Sequence, residues 1–338
     1  MLLQRKQIQS QNRKEQKEEQ EAEANAVYST NTVEEDVEHA TGTQDQKLLY
    51  LHKYLDGGAR TFTIHLMHKL SQSVVYRVRN RTEPKLHDFG YGLSYKNISD
   101  KDASKMDNSV IVIFKENFLH VLESLKNPTL VIHGEVDISK KSIPCIKDLK
   151  IITIRKTLQK YLKEEYGLDS IFKFLPFHPY PIILNLDLER KGAVSISRIS
   201  FEKNIDMIVK ANKLLDNPVK IYGRGRRLYV HFTFRQLTNI LSRAKYVVDL
   251  SVYKNDGGGM NYTFLEAIHN RCALILHRKW LEFEPEYCDF KEGYNCYAVD
   301  SPKELAELIK SDTDTTQVVS NAHKLLQRHI DVLWSDIF

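Results

Sequence analysis

From residue 47 onward, short apolar runs rich in β-branched residues alternate with segments whose apolar residues recur at helical spacing. The runs at 47–55, 74–79, 110–114, 129–134 and 150–154 read as strands. Between them, 59–70 reads as a helix with Phe62, Leu66, Met67 and Leu70 on one face, and 116–125 and 157–168 read as further helices. The polar stretch 80–106 predicts an irregular loop. A proline-rich segment, 172–181, then breaks the pattern and suits a crossover between two halves. The alternation resumes with strands at 193–198, 219–223, 246–251 and 273–277. A helix at 203–215 presents Ile205, Ile208, Val209 and Leu215, and two more helices follow at 302–311 and 316–333. Strands alternating with helices predict parallel, doubly wound sheets, and two such series imply a cleft between two Rossmann-like halves. The expected division is a tail over 1–46, an N-terminal domain over 47–178 and a C-terminal domain over 179–338.

The first 46 residues break this picture, because beyond Leu2 and Leu3 they hold almost no large apolar side chains and cannot bury a core. They predict a disordered or solitary helical appendage. They carry five Lys/Arg and ten Asp/Glu, so the remainder of the chain is more basic than the overall formal charge of +5 indicates. Residues 219–245 alone hold seven Lys/Arg and no acid, a composition suited to an anionic ligand or to a solvated cationic face. No run approaches the roughly 20 apolar residues of a membrane span, and no apolar signal segment opens the chain, so a cytoplasmic protein, possible contact with an anionic membrane aside, is the expectation. Cys145, Cys272, Cys288 and Cys296 lack metal-ligand spacing and read as structural thiols.

Candidate chemistry concentrates in DGGGMNYTFLEAIHNRCALIL, residues 256–276. Three successive glycines, Gly257, Gly258 and Gly259, let the backbone approach a ligand closely, and the helix that follows offers its first amides to an anion. Asp256, Met260 and Asn261 flank the run, and Glu266 lies in the second helical turn with Tyr262, Thr263, His269 and Asn270 at helical spacing. Earlier, SRISFEK puts Arg198 at a strand end and Lys203 at a helix start, so that a planar fork and a mobile ammonium both face the crevice. For each pair of residues the plainer alternative is a solvated surface.

Together these segments resemble retaining GT-B glycosyltransferases of the family 4 group. SISRISFEKNIDMIVKANKLL resembles the family's strand, Arg, loop, Lys, helix segment, and LEAIHNRCALIL its Glu-Ala signature before an apolar strand. The resemblance implies that Arg198 and Lys203 bind the donor diphosphate and that Glu266 contacts the nucleotide ribose. LVIHG resembles the strand whose terminal His, here His133, faces the donor sugar, and Gly57 and Gly58 resemble the glycine loop on the acceptor side. The chain departs from the family at Gly258, where the first of two acidic residues stands. Asp256 is a candidate substitute by a shift of the loop; alternatively the amides of Gly258, Gly259 and Met260 take the sugar or phosphate directly.

The implied activity is sugar transfer from a nucleotide-sugar, with UDP- or GDP-sugars as the expected donors and cationic side chains in place of a metal. The acceptor stays open among a glycan, a lipid, a protein and modified DNA, and no obligate protein partner is expected. A binding module without catalysis, for nucleotide-sugar or nucleic acid, is the alternative. A nucleotide-dependent oxidoreductase fits less well, because neither the Gly57 loop nor Gly-Arg-Gly at 223–225 forms GxGxxG.

Overall fold

The computed structural model describes residues 46–51, 57–70, 73–79, 86–90, 92–134, 138–182, 190–223, 234–253 and 257–337. The expected tail therefore lies outside the described residues, apart from Gln46, which opens the first strand. The first sheet contains β1 (Gln46–Leu51), β2 (Ser73–Val78), β3 (Leu86–Gly90), β4 (Leu93–Ile98), β5 (Val110–Phe114), β6 (Thr129–Ile132), β7 (Lys150–Thr153) and β8 (Ile171–Phe172). Their order is β3-β4-β2-β1-β5-β6-β7-β8, parallel throughout except for the antiparallel β3–β4 pair at one edge. The second sheet, entirely parallel, runs β10 (Lys220–Tyr222), β9 (Ala193–Ile196), β11 (Tyr246–Asp249), β12 (Ala273–His277) and β13 (Tyr297–Val299).

A parallel sheet is covered on both faces, so its central strands must be apolar at every position. VIVIF in β5 meets that requirement and ALILH in β12 does so up to its final His277, with all five residues buried in each. The helices are α1 (Gly57–Lys69), α2 (Asp100–Ala103), α3 (Leu119–Ser124), α4 (Ile143–Ile146), α5 (Lys156–Tyr166), α6 (Ile205–Asn212), α7 (Phe234–Leu241), α8 (Tyr262–His269), α9 (Pro302–Lys310) and α10 (Thr316–Asp331). Local sequence sets several of their ends. Gly167 takes a left-handed conformation after α5, where its amide and that of Leu168 return to the carbonyls of Lys163 and Leu162. Ser301 caps the Glu304 amide ahead of Pro302, the first residue of α9.

Alternate residues of the first sheet feed two cores. Leu49, Ile111, Leu130 and Ile151 pack with α3 and α5, whereas Leu48, Tyr50, Val112 and Ile152 pack with α1. The α1 core is continuous with Phe264, Leu265, Leu274 and Trp334 of the second half. Consequently Phe62, Thr63, Ile64, His65, Leu66 and Met67 are all buried, which no one-sided helical stripe predicts. The chain crosses between the halves twice. The first crossing is 173–182; the second follows α10, where the Trp334 indole donates to the Phe174 carbonyl and the Thr129 hydroxyl donates to the Ile337 carbonyl.

Several expectations need correction. The loop expected over 80–106 contains β3, β4 and α2, because LSYKNI pairs in parallel with β2, Tyr95 opposite Val75 and Ile98 opposite Val78, despite the polar Lys96 and Asn97 between them. Gly57 and Gly58 begin α1 rather than forming a loop before it. In α6 the buried face is Met207, Ile208 and Ala211, while Val209 is exposed, a rotation of the expected stripe by about one position. The short strands β8 and β13 and helix α7 were not apparent from periodicity. Part of the basic segment, 224–233 with Arg224, Arg226 and Arg227, lies outside the described residues.

Candidate donor site

The carboxyl end of the second sheet collects the charged residues. After β9 the chain turns through Ser197 to Asn204, and Gly223 lies so close to the Ser197 carbonyl that a side chain there would collide with backbone. Arg198 pairs with Glu202 at 2.6 Å and keeps an exposed guanidinium. Phe201, between them in sequence, is almost fully exposed at this rim.

Lys203 is held differently. Its ammonium lies 3.2 Å from the buried Asp249 carboxylate and donates to the Ser251 hydroxyl at 2.8 Å, with the Tyr253 ring 5.8 Å away. Burial alone would lower its pKa, but Asp249 and Tyr253 more than offset that and hold it above the ordinary lysine value. Asp249 is itself fixed, since it accepts from the Ser251 amide at 3.0 Å and from the Ser251 hydroxyl. The Val252 amide donates to the Glu202 carbonyl at 2.8 Å, tying the end of β11 to the Lys203 turn. Asp249 and Ser251 were not singled out from the sequence; the signal available was an acid ending an otherwise apolar strand, YVVD.

The glycine run is buried and turned inward. Gly258 has φ +68°, its amide donates to the Trp280 carbonyl at 2.9 Å, and its carbonyl accepts from Asp289 at 2.8 Å. A Cβ at this position would lie 2.7 Å from the Tyr287 carbonyl oxygen, so neither geometry nor space admits another residue. The Gly259 amide closes onto the Gly257 carbonyl at 2.7 Å, and the Gly259 carbonyl accepts from the Trp280 indole at 3.1 Å. The expectation that the Gly258 and Gly259 amides are offered to a ligand is thus corrected, because both are spent on the chain itself. From the other half, the Thr157 hydroxyl donates to the Gly257 carbonyl at 3.1 Å, and the Arg155 stem packs against Gly259. Met260 is buried in the shared core, and Asn261 caps α8 by accepting from the Phe264 amide at 3.0 Å. Asp256 lies outside the described residues.

Glu266 stands apart from this internal bonding. Its side chain is half-buried, and among the described residues no hydrogen bond or ion pair reaches its carboxylate. Burial without compensation pushes its carboxyl up to about 8. The polar residues sharing its helix have partners: Tyr262 donates to the Pro176 carbonyl at 3.0 Å, His269 bonds the Tyr180 carbonyl at 2.8 Å, and Asn270 donates to the Tyr180 hydroxyl at 3.2 Å. They dock the crossover onto α8, whereas the Glu266 carboxylate takes no part in that docking among the described residues.

His133 sits just beyond β6, where its Nε2 meets the Val112 carbonyl at 2.7 Å and its ring packs edge-on to Phe62 at 4.8 Å. Arg155 donates to the His133 carbonyl and so joins this position to the glycine run. Gly58 opens α1 with open space where a Cβ would be, and Gly57 precedes it. The structure therefore links His133, Arg155 and the glycine run through direct contacts and links Lys203 to Asp249 and Ser251. It records no direct contact between these two groups. Among the described residues no cluster of three or more His, Cys, Asp and Glu side chains is arranged for a metal. All four thiols are free, and Cys272 is deeply buried, donating to the Leu241 carbonyl at 3.2 Å.

No protein-family model and no curated protein matches the chain. Solved structures do. The Anabaena protein Alr3699/HepE, determined in complex with UDP and glucose, superposes with a TM-score of 0.60 at 13% identity, covering 85% of this chain and 96% of its own. An alpha-glucosyltransferase in complex with UDP and a 13-mer DNA containing a HMU base gives 0.59 at 11% identity, with 85% and 96% covered. A glycosyltransferase from Rickettsia africae gives 0.58 at 11% identity, with 85% and 95% covered. At such identities the likeness concerns architecture. The two sheets, the double crossing and these superpositions establish the chain as a GT-B fold, with two Rossmann-like halves.

Proposed function

We propose that this chain transfers a sugar from a nucleotide-sugar to an acceptor hydroxyl. The observation that carries the reading is Glu266: a half-buried carboxyl, raised to about 8, on the helix that follows the glycine run. A buried carboxyl that no described residue pairs is stabilised when a ligand supplies hydrogen-bond donors, and a ribose diol is such a ligand. Arg198 and Lys203 bind the donor diphosphate and stabilise the charge that grows on it as the bond to the sugar breaks. Lys203 suits that role because Asp249 and Tyr253 keep it charged. His133 and Asp256 border the sugar, with the glycine run holding that loop in place from behind, and Gly57 and Gly58 border the acceptor. The resemblance to family 4 further suggests retention of configuration and catalysis without a metal, with UDP- or GDP-sugars as donors.

The UDP and glucose bound by the structural neighbour support the donor class, and the DNA bound by another keeps modified DNA among the acceptors beside glycan, lipid and protein. The test is a screen for nucleotide release from UDP-, GDP-, ADP- and TDP-sugars by the wild type and Arg198→Ala. Release from one donor class, lowered by about 100-fold in the variant, is expected. Absence of both binding and release with every donor would refute transfer. A second reading, a binding module without turnover, is favoured by Gly258, whose position admits no carboxylate; it predicts donor binding without release.

A further inference from the structure

At the opposite end of the second sheet, a groove of about 740 Å³ runs along α10 and is lined by Arg190, Arg271, His323 and Lys324, together with Thr316 and Ser320. None of the described residues lining it is acidic. Arg271 lies two residues before the strand that starts at Ala273, whereas the Lys203 partner Asp249 ends a neighbouring strand. Five residues of extended chain, roughly 16 Å, separate the groove from the candidate donor cleft.

Three cations of the groove are held in position. Arg190 donates to the Asn270 carbonyl at 2.6 Å, which fixes its guanidinium and leaves other N–H groups to face the groove. Arg271 occupies the left-handed position after α8, with φ +59°, and its amide and that of Cys272 return to the Ile268 and Ala267 carbonyls. Glycine or asparagine ordinarily fills that position, so the fold tolerates backbone strain to keep an arginine there. Lys324, one helical turn from Ser320, donates to the Asn321 side chain at 3.1 Å. Burial and the nearby Arg271 charge lower the pKa of His323.

We infer that this groove is a second anion site, which takes a phosphate-bearing ligand, either free or as a lipid headgroup. Its forked arginines supply paired N–H donors to phosphate oxygens, and Thr316 and Ser320 supply hydroxyls.

The test uses the full chain and follows the His323 ring resonance by NMR during titration with pyrophosphate. A saturable shift, with a higher His323 pKa in the bound state, is expected. In the Arg271→Gly/Lys324→Gln double variant, binding should weaken by about tenfold or more while nucleotide release stays unchanged. Arg271→Gly relieves the left-handed residue, so loss of binding is separated from loss of fold. Co-sedimentation with phosphatidylcholine vesicles containing phosphatidic acid distinguishes the sources. Binding to vesicles, abolished in the double variant, identifies a headgroup; a response to pyrophosphate alone identifies a free ligand. An unmoved His323 resonance with no vesicle binding, or equal binding by the double variant, overturns the site.

Discussion

Glu266 carries a free-energy penalty whose sign can be followed through pH. An ordinary glutamate releases its proton near pH 4.5 and Glu266 near 8, so between these values the folded chain holds a proton that the unfolded chain has lost. Stability therefore falls as pH rises through that window. The full difference corresponds to an upper bound of roughly 5 kcal/mol, and partial access to water reduces it. Glu266→Gln is expected to gain about 1–3 kcal/mol in denaturant unfolding at pH 8.5 and almost nothing at pH 4.5, while donor KM rises. An equal gain at both values would mean that Glu266 is ionised in the unliganded protein. Lys203 presents the reverse case. Lys203→Ala leaves Asp249 buried and uncompensated, with an expected loss of about 3–5 kcal/mol. Adding Asp249→Asn should restore most of the stability but not turnover. Recovery of turnover as well would assign Lys203 to the fold alone.

Among the elements, the glycine run is the sharpest case of a feature that sequence locates but cannot interpret. Its composition marks close approach by something, and the something is protein: Trp280, Tyr287 and Cys288 on one side, Arg155 and Thr157 on the other. Two neighbouring glycines then differ in a measurable way. Gly258→Ala meets backbone at a positive φ and should cost about 2–4 kcal/mol, whereas Gly259→Ala meets only side-chain atoms, the Arg155 Cγ at 2.8 Å, and should cost less, about 1–3 kcal/mol. Thermal unfolding of the two variants checks the order. The same limit applies to α8. Periodicity reports that Tyr262, His269 and Asn270 form a polar face, but only tertiary structure reveals that the crossover's carbonyls and the Tyr180 hydroxyl fill it. The strands were legible because burial on both faces leaves a run such as VIVIF no other reading. The β3–β4 edge was not, because strands with one wet face look like loop when their alternation is short.

For the molecule as a whole, the junction between halves is unusually rich in histidine. His65 stacks on Tyr262 at 5.0 Å and on Phe177 at 4.7 Å and accepts the His178 amide, while His329 bonds the Leu175 carbonyl. Burial lowers the pKa of His65 to about 3 and that of His329 to about 4. The unfolded chain gains these protons near pH 6.5, so the stability they represent is complete above that value and is lost as pH falls toward 4. Hydrogen exchange at α1 and α8 is expected to accelerate between pH 6 and 4, once corrected for intrinsic rates, before that of β5. Uniform protection across all three elements would refute a weakened junction. The return of residues 330–334 to the first half has a consequence for biosynthesis. Trp334 packs edge-on to Phe62 at 5.2 Å and Lys69 donates to the carbonyls of Ile330 and Val332, so the first half receives structural pieces from residues translated long after it. Until those residues leave the ribosome, that half waits with part of its apolar surface uncovered and exposed to chaperones.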